Sequence, residues 1–300
     1  MNVESSSPSE RRQTGLALLA VVGAAALFGS TGMIAAIAPE ELSAVGAGVW
    51  RSIVGGIVLV VAASIRSTPI WAYSLTDRWI WIGGLGVAGY QLAFFEAVDR
   101  TGVALGTLVT IGVGPLVAGV IDTWRERQAP PTTWLVGTAI AVAGVAVLTF
   151  EAADVDAMGI ALAVVAACSF PTYGAAAQRL MRDRPFLPAV AAVFGAGAVL
   201  LSPLAVITAA EATSSVGSIA AIAVLGVATL ALAYALWGVG LRSLSLSMVV
   251  TVTLVEPAVA ASLAVLVLDE PFSAALVLGL ILVAAGVRIG SRPRRVLHDD

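Results

Sequence analysis

Residues 217–267 read GSIAAIAVLGVATLALAYALWGVGLRSLSLSMVVTVTLVEPAVAASLAVLV, and this stretch decides the fold class. Two long apolar runs are separated by Arg242 and Ser243, and the second run contains Glu256 followed by Pro257. A helix needs about 20 mostly apolar residues to cross the hydrocarbon core of a bilayer, and each run reaches that length. The stretch therefore predicts two membrane-spanning helices joined by a short polar turn.

The same pattern extends over the whole chain. Of its 300 residues, 59% are hydrophobic and 12% are charged, whereas soluble domains are nearer one half apolar and one quarter charged. A soluble protein could not cover this much apolar surface, so the excess is expected to face lipid. We predict an all-α integral membrane protein with ten transmembrane helices, at residues 15–37, 44–64, 79–98, 103–123, 132–150, 157–179, 187–208, 217–241, 246–267 and 273–290.

The composition also argues against several classes of function. Cys168 is the only cysteine and His298 the only histidine, which argues against an intrachain disulfide, a zinc or haem centre and a serine–histidine triad. A basic patch with interleaved aromatic residues is absent from the sequence, so nucleic-acid binding is not expected. A Walker loop is absent too, so ATP is not expected to be the direct energy source. We predict no catalytic residue, no metal site and no cofactor.

The arginines predict how the chain lies in the membrane. If the N-terminus is inside, every arginine falls in a cytoplasmic segment except Arg51, which is within a span, and Arg100. The opposite loops are acidic, as at residues 151–156. The positive-inside rule then predicts a multi-pass protein of the cytoplasmic (plasma) membrane with both termini cytoplasmic. Residues 1–14 are predicted to be a disordered cytoplasmic tail, and residues 291–300 a second cytoplasmic tail.

An internal repeat divides the chain into two halves. A shift of 142 residues places Pro115 on Pro257 and Gly137 on Gly279. Each half contains five predicted spans, which is an odd number, so the second copy must cross the membrane in the opposite sense. Inverted repeats of this kind recur in secondary transporters, with the solute site near the midplane between the halves. The repeat also predicts that the two prolines lie at the same depth.

Several motifs in both halves resemble those of a known family. The motifs are FEAVDRTGVALG at 95–106, GPL at 114–116, the segment 236–247, VEP at 255–257 and LDEP at 268–271. In order and spacing they resemble the two EamA repeats of the drug/metabolite transporter superfamily. The resemblance implies two inverted five-helix repeats, at residues 15–150 and 157–290, and transport of small metabolites. One departure is that Glu270, which precedes the last span, has Gln128 as its counterpart in the first repeat.

Glu256 and Pro257 are the first candidates for function. Glu256 lies about ten residues into its span and hence near the middle of the bilayer. A carboxylate there is costly unless it faces a cavity, a cation or a partner. It is interpreted either as a protonatable group or solute contact, or as a neutral side chain bonded to a neighbouring helix. Pro257 and its repeat mate Pro115 could be hinges for gating, or prolines that a membrane helix simply tolerates.

Arg51 and Glu96 form a second pair of candidates. Arg51 lies about seven residues into its span and Glu96 near the outer end of the next, so an ion pair between them is geometrically possible. The pair could be an outer gate with an anion-binding arginine, or a structural contact between helices. The remaining candidates are side chains within spans that could line a solute pocket or serve ordinary packing: Tyr90, Gln91, Tyr173, Tyr234 and Trp237.

These features favour a secondary transporter over two other kinds of membrane protein. A membrane-embedded enzyme would need clustered catalytic groups, which no predicted span contains. A channel or scaffold would be favoured by ringed pore charges or a carbonyl filter, and neither occurs in the sequence. The predicted cargo is an amino acid, amine, carboxylate or drug-like solute, moved outward by alternating access within the lipid bilayer. Proton coupling through Glu256 or Glu96 and assembly into a homodimer are further hypotheses.

Overall fold

The computed structural model describes residues 8–66, 74–127, 129–149, 156–267 and 272–291. These parts of the chain are helical and contain no β-strand. Some residues used in the sequence analysis lie outside them: residues 1–7, Gln128, residues 150–155, Glu270 and residues 292–300.

Four helices make up the first half: α1 (Pro8–Ala36), α2 (Ala44–Arg66), α3 (Arg78–Glu126) and α4 (Thr132–Thr149). α1 begins at Pro8, inside residues 1–14, which the sequence predicts to be a disordered tail. Proline is favoured at the first helical position because its φ is preset and its missing N–H would have no partner there. α3 contains two predicted spans, 79–98 and 103–123, and is kinked at Gly102, whose φ of 80° and ψ of 160° are not helical.

The second half begins with α5 (Ala157–Leu180), α6 (Phe186–Ile207) and the short α7 (Ala209–Ala212). A continuous helix follows, made of α8 (Val216–Val224), a π-helical segment (Leu225–Leu232) and α9 (Ala233–Ser243). The last helices are α10 (Leu246–Val252), α11 (Val255–Val267) and α12 (Ala274–Gly290). One predicted span, 246–267, is thus interrupted at Thr253 and Leu254. Neither this interruption nor the π-helical segment follows from the pattern of apolar residues.

Seven helices in the described residues are long and apolar enough to cross a membrane: Arg12–Ala35, Ala44–Arg66, Leu105–Glu126, Ala157–Leu180, Phe186–Ile207, Val216–Ser243 and Leu246–Val267. α4 and α12 are apolar but shorter. The first half of α3 is not among the seven because Gln91, Glu96 and several glycines lower its hydropathy. The protein is therefore an all-helical, multi-pass membrane protein, as predicted, while the number of ten spans stays a prediction.

Short polar side chains cap the N-termini of several helices. Asp77 accepts a hydrogen bond of 3.0 Å from the Trp79 N–H at the start of α3. Asp156 accepts one of 3.0 Å from the Met158 N–H at the start of α5. Serine caps α8, α10 and α12 in the same way. Because such side chains satisfy N–H groups that lack a partner within the helix, the polar residues between apolar runs also mark where helices start.

Glycines allow the backbones of α4 and α12 to contact each other directly. A Cβ atom added to Gly137 would lie 2.6 Å from the Gly286 carbonyl oxygen, and one added to Gly279 would lie 3.1 Å from the Gly144 carbonyl oxygen. The 142-residue shift between the repeats places Gly137 on Gly279 and Gly144 on Gly286. The two contacts are therefore reciprocal: each half supplies the same pair of glycines to the other.

The remaining helices enclose a common interior. α3 packs against α5, α2 packs against α6, and α1 packs against α9 and α11. The largest side chains buried there are Trp237 and Tyr173, each with 1% of its surface exposed. This packing brings α1, α2, α3, α5, α6 and α9 around one buried region, which contains the predicted site residues Tyr90, Tyr173, Tyr234 and Trp237.

Candidate functional site

The interruption between α10 and α11 lies immediately before Glu256. The Glu256 N–H donates to the Thr253 carbonyl oxygen at 2.8 Å, and Pro257, which follows, has no N–H to donate to that oxygen. Glu256 therefore occupies the first turn of α11. The interruption is short, because Thr253 keeps α-helical φ and ψ angles of −63° and −16°, and residues 246–267 together remain long enough to cross a membrane.

Arg51 approaches the same region from α2. It is buried, with 8% of its surface exposed. Its Nε donates to the Thr229 hydroxyl at 2.9 Å and its Nη2 donates to the Thr229 carbonyl oxygen at 2.8 Å. Thr229 lies in the π-helical segment, a rare backbone form that is frequent at functional sites. α2 comes close to this segment because a glycine on each side, Gly55 and Gly226, leaves no side chain between the backbones.

Arg51 and Glu256 are opposite charges that interact across this interior. Each of them also interacts electrostatically with Tyr90 and with Tyr234. Among the ion pairs of the described residues, none shorter than 4.0 Å joins Arg51 to Glu256. The two groups are thus close enough to attract each other in a medium of low dielectric constant, yet they do not form a direct ion pair.

Aromatic side chains near these charges pack against one another. The hydroxyl groups of Tyr173 and Tyr234 share a hydrogen bond of 2.6 Å. Ring centroids in the group lie between 4.1 Å apart, for Phe194 and Tyr234, and 6.2 Å apart, for Tyr90 and Tyr173. Trp237 donates from Nε1 to the Thr253 hydroxyl at 3.3 Å, which links the aromatic group to the interruption before Glu256. We name the following set the central cluster: Arg51, Tyr90, Tyr173, Tyr234, Trp237 and Glu256.

Two predicted site residues lie apart from the central cluster. Gln91 is buried, with 4% of its surface exposed, and its side chain lies against Gly48 of α2. Its Nε2 has no hydrogen-bond partner among the described residues. Glu96 is half-exposed near the Gly102 kink and does not reach Arg51.

Glu96 pairs with Arg100 and not with Arg51, a question that the sequence left open. The Arg100 Nε lies 2.6 Å from the Glu96 Oε1, and the Arg100 Nη1 lies 3.5 Å from the Asp156 Oδ2. Arg100 follows Glu96 by four residues on the same helix, so the two side chains are neighbours on one face. Arg51 is instead held by Thr229, on a helix from the other half of the chain.

The two predicted hinge prolines occupy different local structures. α3 runs through Pro115, and its non-helical residue is Gly102. A proline removes one hydrogen bond but keeps a helical φ, whereas a positive φ such as that of Gly102 ends the regular geometry. Pro257 lies directly after the interruption of the α10–α11 span. A local break therefore accompanies Pro257 but not Pro115.

Sequence reasoning missed Thr229 and Thr253. Thr253 precedes Glu256 by three residues, and the pattern Thr-x-x-Glu is typical of a helix start, so it could have indicated the interruption. In the structure the Thr253 hydroxyl instead donates to the Val249 carbonyl oxygen at 2.9 Å while it accepts from Trp237. No comparable local pattern marks Thr229, because its role depends on Arg51 from a distant helix.

Comparisons with known proteins agree with this architecture. The EamA-like transporter family matches the chain twice, over residues 15–150 and 157–291. A relative from Bacillus subtilis (strain 168), described as the uncharacterized transporter YwfM, is 31% identical over 283 residues, which cover 92% of this chain and 94% of the relative. One solved crystal structure, 19% identical, shares the fold with a TM-score of 0.77 over 91% of this chain and 95% of its own. The chain thus belongs to the EamA-like transporter family, and it is a membrane transporter rather than an enzyme.

Proposed function

We propose that this protein is a secondary transporter that exports a small organic metabolite across the cytoplasmic membrane by alternating access, with the central cluster as its solute site. The observation that carries the proposal is the pair of separated opposite charges, Arg51 and Glu256, at an interrupted membrane helix. Ionisable groups within a membrane are costly, and those that occur there usually serve transport or coupling.

The central cluster has the chemistry to bind a solute that combines polar and apolar parts. Arg51 carries five N–H donors, and Thr229 occupies only some of them, so others remain for a carboxylate or carbonyl group. Glu256 can accept from an ammonium or hydroxyl group. The aromatic rings offer apolar surface and favourable contacts with a cation. The proposed cargo classes are therefore amino acids, amines, carboxylates and drug-like solutes.

Ten helices in two inverted repeats, residues 15–150 and 157–290, are part of the proposal. The reciprocal glycine contacts between α4 and α12 support it. So does the packing of the first helix of each half against the other half, α1 on α9 and α11 and α5 on α3. When two copies are related by a two-fold axis, each copy makes the equivalent contact with the other. Alternating access would then be a rocking of one half against the other around the central cluster.

Polar contacts at both ends of the bundle support gating on either side. Arg184 Nη2 lies 3.1 Å from Asp77 Oδ2 and joins the turn before α6 to the start of α3. Arg100 joins the kink of α3 to Asp156 at the start of α5. In the proposed orientation the first contact is cytoplasmic and the second is external. Opening one while the other holds would expose the central cluster to one side at a time.

Reconstitution of the purified protein into liposomes tests the proposed function. A panel of amino acids, amines and carboxylates is offered with and without a pH gradient, and uptake is compared with protein-free liposomes. We expect at least one solute class to enter in a saturable manner, because the central cluster has a finite number of binding groups. Equal uptake with and without protein across the panel would contradict a transport function for the central cluster.

Cysteine labelling tests the proposed orientation. In a Cys168→Ser background, a single cysteine at position 154 is expected to react with a membrane-impermeant thiol reagent added to intact cells, and one at position 182 is not. The expectation rests on the arginine-rich segments being cytoplasmic. Protection of position 154 together with labelling of position 182 would show that the orientation is reversed.

A further inference from the structure

The π-helical segment Leu225–Leu232 is not explained by its own sequence. LGVATLAL contains no proline, and leucine and alanine favour a regular α-helix. A π turn accommodates about one residue more than an α turn, so it rotates the following residues by about 100° relative to an uninterrupted α-helix. Contacts from outside the segment must therefore stabilise this register.

Arg51 supplies these contacts through Thr229. The Thr229 hydroxyl accepts from the Arg51 Nε and donates to the Leu225 carbonyl oxygen at 2.7 Å. The Thr229 carbonyl oxygen accepts from the Arg51 Nη2. Hydrogen bonds from a charged donor are about twice as strong as those between neutral groups. A single residue thus links the guanidinium group of α2 to the backbone of the π-helical segment.

The register of this segment determines where Tyr234 and Trp237 point. Both residues follow it directly on α9. Tyr234 shares its hydroxyl hydrogen bond with Tyr173, and Trp237 donates to Thr253 beside the interruption. If the segment returned to an α-helix, both side chains would rotate by about 100° and lose these partners.

We propose that Thr229 is a positioning residue of the solute site. Its hydroxyl and carbonyl groups hold the Arg51 guanidinium group against the π-helical segment, and they maintain the π register that keeps Tyr234 and Trp237 in the central cluster. The Nε and Nη2 edge of Arg51 is engaged by Thr229, which leaves the Nη1 end for a solute. The inference rests on the proposed function, in which the central cluster binds the solute.

Hydrogen–deuterium exchange with mass spectrometry tests this inference without any solute. Thr229→Val removes the hydroxyl at nearly constant shape, and Thr229→Ser retains it. Thr110→Val is the matched control, because Thr110 has 1% of its surface exposed and donates to the Ala163 carbonyl oxygen, not to Arg51. We expect amides of residues 225–237 to exchange about tenfold faster in Thr229→Val, and at the wild-type rate in the other two variants. Wild-type exchange in Thr229→Val would overturn the inference.

A second variant covers the case in which Thr229→Val destabilises the whole protein. Arg51→Lys keeps a positive charge but cannot make both hydrogen bonds to Thr229. Faster exchange in Arg51→Lys that is confined to residues 225–237, with α4 and α12 unchanged, supports the inference. Unchanged exchange in residues 225–237 of that variant overturns it.

Transport kinetics separate this inference from the proposed function. For a solute found in the panel, Thr229→Val is expected to raise the half-saturation concentration about tenfold, with a smaller effect on the maximal rate, and Thr229→Ser is expected to restore it. In an Arg51→Lys background the valine substitution should add little, because the shared contact is already lost. Faster exchange with an unchanged half-saturation concentration would show that Thr229 stabilises the π-helical segment. It would also overturn the assignment of the central cluster as the solute site.

Discussion

Replacing Glu256 by glutamine is expected to leave the protein folded and inserted in the membrane but to abolish transport driven by a pH gradient. Glutamine keeps the shape and most of the hydrogen-bonding capacity of the side chain, and it cannot bind and release a proton. Solute counterflow, which needs binding and alternation but no proton, is expected to survive. Both activities are measured in proteoliposomes, with counterflow and pH-driven uptake of the same labelled solute.

Glu96→Gln is the matched control for this experiment. Glu96 is also an acidic residue near a span, but it pairs with Arg100 outside the central cluster. The Glu96→Gln control is expected to retain pH-driven transport. If Glu96 were the coupling residue, Glu96→Gln would lose pH-driven transport and Glu256→Gln would keep it. Unchanged pH-driven transport in Glu256→Gln would eliminate Glu256 as the coupling site. Misfolding of that variant would favour a structural role, in which the charge helps to hold the helices together.

Replacing Arg51 by methionine is expected to abolish transport and to lower stability. The substitution removes both hydrogen bonds to Thr229 and leaves Glu256 without its cationic partner. A buried carboxylate without a compensating charge is destabilising, so the unfolding temperature of this variant should fall. Arg51→Lys keeps the charge but not the two-point attachment, so it should fold and transport weakly. Thermal unfolding in detergent and solute uptake in proteoliposomes measure the two effects.

A double substitution separates the two roles of Arg51. In Arg51→Met/Glu256→Gln neither charge is left without compensation, so the unfolding temperature is expected to return towards that of the wild type while transport stays absent. Transport by the double variant would contradict the binding role of the two charges. If the unfolding temperature does not recover, the hydrogen bonds to Thr229 account for the stabilising effect of Arg51 more than Glu256 does.

The residue types of the central cluster could be predicted, but their pairing could not. Position along a span indicates depth, and on that basis Arg51 was considered with Glu96. Depth does not specify which helices are neighbours or which face of a helix points inward. In the structure Glu96 has a partner four residues away, Arg100, and Arg51 donates to Thr229 on a helix of the other half. The sequence is equally uninformative about Pro115, because a proline permits a helix kink without requiring one.

The amino-acid sequence alone was enough to predict an all-helical membrane protein of a transporter family. Long apolar runs partition into a bilayer because of their composition, which needs no knowledge of contacts. Tertiary packing alone establishes the π register of residues 225–232 and the position of the Arg51 guanidinium group. Both depend on hydrogen bonds between residues 178 positions apart in the chain, Arg51 and Thr229. No local pattern around either residue specifies such a contact, because its free energy exists only once α2 and the π-helical segment are packed together.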